Sequence, residues 1–361
     1  DLTDDPIQVL HRGRGRATID AGGLGERIFE SFVPTTLTKL VLTGGEASGV
    51  SNDSGGAIEA KADMTVRRSL LRSNVSEKFG GAIYHNNGTL RIVRSTLSAN
   101  RSLDESGAIE VSGESLVLTR STLRGNVAAS AGAGGVYTST LGPSRIDRTT
   151  FAGNRAPGLG GALEVNNGTI RVANSTFSGN RSSASNGGAI SSFGELEVVN
   201  STFWRNRAAG SGGAIYNGAG GNAKLSAATI VRNVADSDNS SIGSGGGLFN
   251  SPGWSFEIAN SIVALNDQVG GDADDCAGAF DSLGGNLRTD GTDCGGFAGP
   301  GDAIRANPKI GRLARNGGPT QTVALKRGSP AIGRAVRALA PERDQRGQRR
   351  DSNPDSGAFE R

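Results

Sequence analysis

The sequence predicts an all-β protein folded as a right-handed, single-stranded parallel β-helix with three short strands in each coil. A block of the Gly-Gly-Ala-Ile type recurs eight times between residues 55 and 248. A Ser-Thr-(Leu/Phe)-x-x-Asn block recurs in step with it, and a short apolar stretch such as residues 90–93 separates the two. The repeat is 25 to 28 residues long, with one interval of 33, which indicates a solenoid of about nine or ten coils.

Other repeat architectures fit this pattern less well. A helical repeat needs an apolar stripe with a period of about 3.6 residues, and a propeller blade needs about 40 residues and four antiparallel strands. Glycine accounts for 57 of the 361 residues and proline for 11, which excludes collagen and a Pro-rich disordered chain. We expect right-handed coils because parallel crossovers are nearly always right-handed.

Stacking of equivalent residues in successive coils explains the residue types in each block. The aliphatic residue of the Gly-Gly-Ala-Ile block predicts one inner stack: Ile58, Ile83, Ile109, Val136, Leu163, Ile190, Ile215 and Leu248. The apolar residue of the Ser-Thr block predicts a second: Leu70, Leu97, Leu123, Phe151, Phe177, Phe203, Ile230 and Val263. The asparagines that end this block are expected to bond neighbouring coils at a turn. They are Asn74, Asn100, Asn126, Asn154, Asn180, Asn206, Asn233 and Asn266.

Charge and hydropathy limit the possible partners. Lys and Arg number 38 and Asp and Glu 35, and the resulting net charge of +3 gives no reason to expect nucleic acid as a partner. No apolar run approaches the roughly 20 residues of a membrane span, so we expect none in this chain. The chain starts at Asp1 without a leader segment, and we expect both ends to have been trimmed, either by natural processing or by the choice of fragment.

The Gly- and Asp-rich stretch near residues 272–294 carries two predictions. Cys276 and Cys294 lie 18 positions apart where few apolar residues hold the chain, so we expect a disulfide, with two free thiols as the alternative. A disulfide would indicate an oxidising, extracytoplasmic location. Asp272, Asp274 and Asp275 are candidate calcium ligands, because clustered oxygens on loops suit that ion. No other metal and no organic cofactor is expected.

The repeats resemble those of polymorphic outer-membrane proteins and related secreted β-helix proteins. The resemblance rests on the alternation of Gly-Gly-Ala-Ile-Tyr with Asn-Ser-Thr-Phe-Ser-Gly-Asn-Arg and covers about residues 35 to 267. The tail resembles a choice-of-anchor Q domain through motifs at residues 282–287, 316–320 and 344–347, although a second cysteine pair common in such modules is absent. The resemblance implies a secreted or cell-surface protein of a bacterium. It also implies two domains, a β-helix over 1–267 and an irregular C-terminal capping module over 268–361.

One outward row of the repeat is a candidate catalytic face. Carbohydrate-active β-helix enzymes place their sites on an exposed sheet, and one phase of this repeat carries Glu59, Tyr84, Glu110 and Glu164, with His85 beside Tyr84. Carboxylates on next-but-one coils lie roughly 9.6 Å apart, near the upper limit for an inverting glycosidase, and His85 would serve as a lyase-type base. We favour the alternative, in which these residues stabilise the sheet face. Because the sequence contains only two histidines, a histidine-based catalytic triad is nearly excluded.

A second row follows the asparagine series and is a candidate ligand-binding face. It consists of Arg101, Arg155, Arg181 and Arg207. Stacked guanidiniums would bind an acidic polysaccharide, and the alternative is a solubilising stripe with nearby acidic partners.

The preferred interpretation is a secreted or cell-surface structural or adhesive protein without enzymatic activity that assembles end to end into filaments. An end coil exposes unpaired backbone groups, and the residues before Thr18 are too few and too polar to cover it. The expected partners are other copies of this chain and an acidic polysaccharide. The alternatives are a polysaccharide lyase or glycoside hydrolase acting on the Glu/Tyr face, and an anionic-glycan binding module.

Overall fold

The computed structural model describes residues 5–49, 53–240, 243–270, 274–290 and 294–361. It shows an all-β parallel solenoid of about eleven coils, which confirms the predicted fold class. Within these residues the parallel strands form four sheets, named sheets 1 to 4 in the order in which a coil passes through them. The one helix in the described part is a short 3-10 helix, Arg337–Leu339.

The strands pair in register from coil to coil. Sheet 1 contains Ile7–Leu10, Thr35–Thr38, Met64–Arg67, Thr89–Val93, Ser115–Thr119, Ser144–Asp147, Thr169–Ala173, Glu195–Val199, Asn222–Ser226, Phe256–Ala259 and Asp281–Gly284. Sheet 2 contains Ala17–Asp20, Leu40–Thr43, Leu70–Arg72, Thr96–Ser98, Thr122–Arg124, Thr150–Ala152, Thr176–Ser178, Thr202–Trp204, Thr229–Val231, Ile262–Ala264 and Leu287–Arg288. Sheet 3 contains Glu46–Ala47, Val75–Ser76, Arg101–Ser102, Val127–Ala128, Arg155–Ala156, Arg181–Ser182, Arg207–Ala208, Val234–Ala235 and Asp267–Gln268. Sheet 4 contains Phe29–Ser31, Ile58–Ala60, Ile83–His85, Ile109–Val111, Val136–Ser139, Leu163–Asn167, Ile190–Ser192, Ile215–Asn217, Leu248–Asn250, Cys276–Ala279 and Cys294–Gly295.

Most coils have four strands, where the sequence predicted three. The additional strands, those of sheet 3, are two residues long and follow the asparagine of the Ser-Thr block, as in Arg155–Ala156. A dipeptide is too short to show the alternation by which a strand is recognised in a sequence. The coil count is about eleven instead of nine or ten, because the first and last coils, with strands Ile7–Leu10 and Asp281–Gly284, lack the repeat blocks.

The two predicted inner stacks line sheets 4 and 2. Ile58 pairs with Ile83, and both side chains are fully buried. In sheet 2, Phe177 stacks between Phe151 and Phe203, with ring centroids 4.6 and 4.8 Å apart. Each coil therefore buries its apolar residues against identical or similar residues of the next coil, which is why the repeat keeps its residue types.

One member of the second stack was predicted wrongly. Leu71, not Leu70, pairs with Leu97 and is fully buried, whereas Leu70 pairs with Thr96. Leu71 lies three residues before Asn74, as Leu97 does before Asn100, so the count from the asparagine gives the correct phase.

The asparagine series forms a continuous buried ladder, as predicted. Asn100 Nδ2 donates to Asn126 Oδ1 at 2.9 Å, and the Asn100 backbone N–H donates to the same oxygen at 3.1 Å. The amide of Asn100 also donates to the carbonyl oxygen of Leu71 at 3.1 Å. The side-chain bonds continue from Asn74 to Asn266, so the ladder ties eight coils together.

A corner of one or two residues joins sheet 1 to sheet 2 in the second to tenth coils, and its first residue is called the corner residue. The corner residue has a positive φ, between 46° and 58°, which is a conformation that glycine and asparagine tolerate best. Its backbone N–H donates a hydrogen bond to a carbonyl oxygen of the next coil. For example, the N–H of Arg94 donates to the carbonyl oxygen of Thr119 at 3.0 Å. These residues are called the corner ladder: Lys39, Arg68, Arg94, Arg120, Arg148, Asn174, Asn200, Ala227 and Asn260.

The C-terminal residues 307–361 run back along the outer face of sheet 2. An antiparallel pair, Ile310–Ala314 with Thr322–Leu325, contributes to a second hydrophobic cluster that includes Trp204 of the solenoid and Phe359. Polar contacts follow the corner ladder, beginning with the bond from the Thr320 hydroxyl to the carbonyl oxygen of Asn174 at 2.8 Å. This segment therefore covers the flank of coils seven to ten.

The predicted disulfide is confirmed. Cys276 is bonded to Cys294, and the bridge joins the last two strands of sheet 4. Parallel strand pairing thus continues to Gly295, beyond residue 267. The division of the chain into domains 1–267 and 268–361 stays a prediction. Among the described residues, no helix is both long enough and apolar enough to cross a membrane.

Candidate functional site

Sheet 4 carries the outward row that the sequence marked as a candidate catalytic face. The register places Tyr84 between Glu59 and Glu110, and Tyr137 between Glu110 and Glu164. Because neighbouring strands lie about 4.8 Å apart, carboxylates and aromatic rings alternate along the solenoid at that spacing. The structure therefore brings four of the five candidate catalytic residues into one row.

Glu59, at the first end of this row, is an ion-paired buried residue. It is fully buried, contacts the guanidinium of Arg27, and has its Oε1 atom 3.2 Å from Lys61 Nζ. Lys61 also forms a salt bridge to Glu30 at 2.7 Å. Two cations hold the Glu59 carboxylate, so it is poorly suited to take a proton from a substrate.

Glu110 and Glu164 are also covered, with only 7% and 6% of their surface exposed. The Ser106 hydroxyl, in the segment that connects sheet 3 to sheet 4, donates to Glu110 at 2.9 Å. Burial raises the pKa of Glu110 to about 7 and that of Glu164 to about 8, and the nearby Glu105 carboxylate adds to both shifts. Burial likewise raises the pKa of Tyr137 to about 12. Such carboxyl pKa values occur at catalytic sites and in buried structural clusters alike.

His85 points into the solenoid and does not join the row. It pairs with the buried Ala60, is itself fully buried, and places Nε2 at 3.1 Å from the carbonyl oxygen of Ala62. Burial lowers the pKa of this imidazole. Alternation along the strand explains its position, because the neighbouring Tyr84 faces outward and its two neighbours therefore face inward.

Three of the four predicted ligand-binding arginines stand side by side on sheet 3. Arg155 pairs with Arg181, which pairs with Arg207, whereas Val127 separates Arg101 from Arg155. All four arginines are exposed. None of them forms a salt bridge with another described residue. The row of Arg155, Arg181 and Arg207, called the sheet 3 row, is therefore a set of adjacent exposed cations.

The aspartates near the disulfide brace the last coils. Asp275 Oδ1 accepts two bonds from Asn266 and so ends the asparagine ladder, while its Oδ2 accepts from the backbone and hydroxyl of Thr289. Asp274 accepts backbone N–H donors with both oxygens. Calcium binding by Asp274 and Asp275 stays a prediction, and Asp272 lies outside the described residues.

A groove that was not predicted from the sequence lies on the flank where sheets 1 and 2 meet. This flank groove has a volume of about 800 Å³ and extends from Gln8 to Arg148. Arg68, Arg94 and Arg120 of the corner ladder line it, and all three are exposed. A sequence signal existed, because an arginine directly precedes the Ser-Thr block in four consecutive repeats.

Residues 174–192 match the Chlamydia polymorphic membrane protein repeat family. The match runs from the corner at Asn174 through sheets 2 and 3 to the sheet 4 strand Ile190–Ser192, which is most of one coil. Residues 174–192 are therefore similar to a polymorphic membrane protein repeat. The repeat resemblance inferred from the sequence is thereby confirmed, and it indicates a β-helix protein of a bacterial surface or outer membrane. A comparison with curated proteins gives no match, and the choice-of-anchor Q resemblance stays a prediction.

Proposed function

We propose that this protein is an adhesive solenoid, displayed on a bacterial surface, that binds acidic polysaccharide through the sheet 3 row. The proposal rests on Arg155, Arg181 and Arg207, three exposed guanidinium groups in adjacent coils. Guanidiniums donate in pairs to carboxylates and sulfates, so a linear acidic polymer would engage several of them at once. Like charges about 4.8 Å apart repel by up to about 1 kcal/mol per pair in water, and a polyanion would relieve that repulsion.

Two findings support a location outside the cytoplasm. The polymorphic membrane protein repeat indicates a bacterial surface or outer membrane. The disulfide between Cys276 and Cys294 is typical of an oxidising compartment. We place the protein outside the cell or on its surface on these grounds.

The enzyme alternative has less support than the adhesive one. A lyase or hydrolase would need a polymer to reach the carboxylates of the Glu/Tyr row, and Glu59, Glu110 and Glu164 are all buried. If the intact chain shortens a uronic-acid polymer and the Glu110→Gln, Glu164→Gln double variant does not, the enzyme interpretation replaces the adhesive one.

End-to-end association is the proposed form of assembly. Within the described residues, the first-coil strands Ile7–Leu10, Ala17–Asp20 and Phe29–Ser31 pair with the second coil on one side only. Strands with a free edge recruit further strands unless a segment covers them. Association through this face would multiply the number of arginines that one assembly presents.

Binding to immobilised polygalacturonate tests the adhesive proposal. The row variant changes three residues to glutamine: Arg155, Arg181 and Arg207. The control variant removes the same charge from scattered exposed positions by changing three others to glutamine: Arg91, Arg312 and Arg327. We expect the row variant to bind at least about tenfold more weakly than the control, because charge-assisted hydrogen bonds are lost. Equal binding by the two variants would contradict the proposal.

A further inference from the structure

We infer that the flank groove is a second binding site, in which an acidic polysaccharide lies along the solenoid axis across coils one to six. The site goes beyond the proposed sheet 3 row, because the groove lies at the corner between sheets 1 and 2 and shares no residue with that row. A second depression of about 390 Å³ adjoins the groove at Arg120 and Arg148 and is bordered by Pro319 of the C-terminal residues. Five coil steps of about 4.8 Å separate Gln8 from Arg148, so the groove is roughly 24 Å long.

The groove is strongly cationic. Within the described part of the chain, Arg68, Arg94 and Arg120 form no salt bridge. At the far end of the groove, Nη1 of Arg148 lies 3.6 Å from Oδ2 of Asp147, so the charge of this arginine is partly neutralised. The unbalanced positive charge is therefore concentrated in three successive coils, where side chains at the same phase present it in a line.

The backbone conformation gives an independent reason to assign a function to these arginines. Each of Arg68, Arg94, Arg120 and Arg148 has φ near +50°, in a region that costs an ordinary side chain roughly 1 kcal/mol or more. Asparagine tolerates this conformation better, and asparagine occupies three of the four corners in coils seven to ten. The fold imposes this conformation on every corner, so it is the choice of arginine over asparagine in four successive coils that points to a role beyond the fold.

The flank beyond the groove already holds an extended chain. In coils seven to ten the corner ladder is covered by the C-terminal residues: Asn200 Nδ2 donates to the carbonyl oxygen of Arg343 at 2.7 Å, and Asn260 Oδ1 accepts from the backbone of Val336 at 2.7 Å. In coils three to six the same flank is open, and the corner residue is arginine. The residue type changes where the cover ends. The amides of Asn200 and Asn260 bind the neutral backbone of the covering segment, whereas guanidiniums suit an acidic chain.

The spacing of the arginines favours a polysaccharide over a peptide or a nucleic acid. Corner residues recur about every 4.8 Å, whereas side chains on one face of an extended peptide recur about every 6.8 Å. One pyranose unit advances an extended polysaccharide by a distance similar to one coil, so an acid on each sugar meets one arginine per coil. Among the described residues that line the groove there is no aromatic side chain on which a base would stack.

Calorimetric titration of the intact chain with polygalacturonate tests the inference. The groove variant changes Arg68, Arg94 and Arg120 to asparagine, which suits the positive φ and already occupies corners in the covered coils. We therefore expect a melting temperature equal to or above that of the parent. The affinity is expected to fall at least about tenfold below that of the control variant at Arg91, Arg312 and Arg327, because three charge-assisted contacts are lost.

The row variant of sheet 3, titrated in parallel, separates this inference from the proposed function. A loss in the groove variant alone supports the flank groove and contradicts the sheet 3 row, and a loss in the row variant alone does the opposite. A loss of affinity in each of the two variants supports both sites. If both variants bind as tightly as the control variant, the flank groove and the sheet 3 row are both overturned as binding sites. Competition by polyglutamate or single-stranded DNA at concentrations equal to or below those of polygalacturonate would overturn the assignment to a polysaccharide.

Discussion

At the scale of single residues, the asparagine ladder illustrates how one side chain binds three coils. Asn154 Oδ1 accepts from the backbone N–H and the amide of Asn126, at 3.1 and 2.9 Å. Its own amide donates to the carbonyl oxygen of Leu123 and to Asn180 Oδ1, both at 3.0 Å. All of these groups are buried, so the loss of one asparagine leaves several polar atoms without a partner and without water.

We therefore expect Asn154→Ala to lower the free energy of unfolding by roughly 2–4 kcal/mol. Urea denaturation followed by circular dichroism measures this change. The matched control is Asn167→Ala, since Asn167 is exposed and lies in the same coil. If the two variants have the same midpoint, the ladder does not stabilise the solenoid as described.

Glu164 predicts a pH dependence of stability. Its pKa is about 8 in the folded chain, against an ordinary value of 4.5, because burial disfavours the charged form. Between these two pH values the folded chain keeps a proton that the unfolded chain has released, so the free energy of unfolding falls as the pH rises from about 4.5 to about 8. Glu164→Gln removes this ionisation, and we expect it to reduce the fall by an amount on the order of 5 kcal/mol.

Urea titrations across that pH range measure the slope for the parent, for Glu164→Gln and for a control. Glu77→Gln is the control because Glu77 is exposed. An unchanged slope in Glu164→Gln would mean that this carboxyl does not keep its proton in the folded chain.

At the scale of strands and sheets, the disulfide joins elements that have little other support. Cys276 and Cys294 link the last two strands of sheet 4, and the final strand has only two residues. A loop of this length predicts a stabilisation of roughly 3 kcal/mol. We expect reduction to raise amide hydrogen exchange in residues 276–290 and to leave coils three to six unchanged. If amide hydrogen exchange in residues 276–290 is the same before and after reduction, the bridge does not stabilise these residues locally.

Sheets 2 and 4 were predictable from the sequence because their strands carry the Ser-Thr and Gly-Gly-Ala-Ile blocks. Sheet 3 was not, because a two-residue strand such as Arg181–Ser182 has no period of its own and becomes a strand only through its neighbours in the stack. The alternation of residues placed Glu110 and Glu164 in one outward row. Their burial was not predictable, since it depends on connecting segments, such as the one containing Ser106, whose sequences do not repeat.

At the scale of the whole molecule, the C-terminal residues divide one flank into a covered and an open half. The covered half carries asparagine or alanine at the corner ladder, and the open half carries arginine in four successive coils. A regular scaffold thereby presents different chemistry along its length through one variable position per repeat.

End-to-end association makes a separate prediction at this scale. Ile7 donates its backbone N–H toward the second coil, so alternation directs the N–H of Leu10 to the free edge of sheet 1. We expect the parent chain to form species whose mass rises with concentration, and Leu10→Pro, which removes that donor, to shift them toward the monomer. Sedimentation velocity measures the distribution. A parent chain that stays at 36.7 kDa over a wide concentration range would rule out this mode of assembly.

The proposals above share one mechanism, in which guanidiniums repeated once per coil bind a linear acidic polysaccharide. Calorimetry of the intact chain with oligogalacturonates of increasing length, from the disaccharide to the octasaccharide, tests it most directly. We expect the affinity to rise with each added sugar and to level off once the oligomer spans the arginines of the open flank or of sheet 3. Affinity that does not depend on length, or the absence of binding at every length, would contradict it.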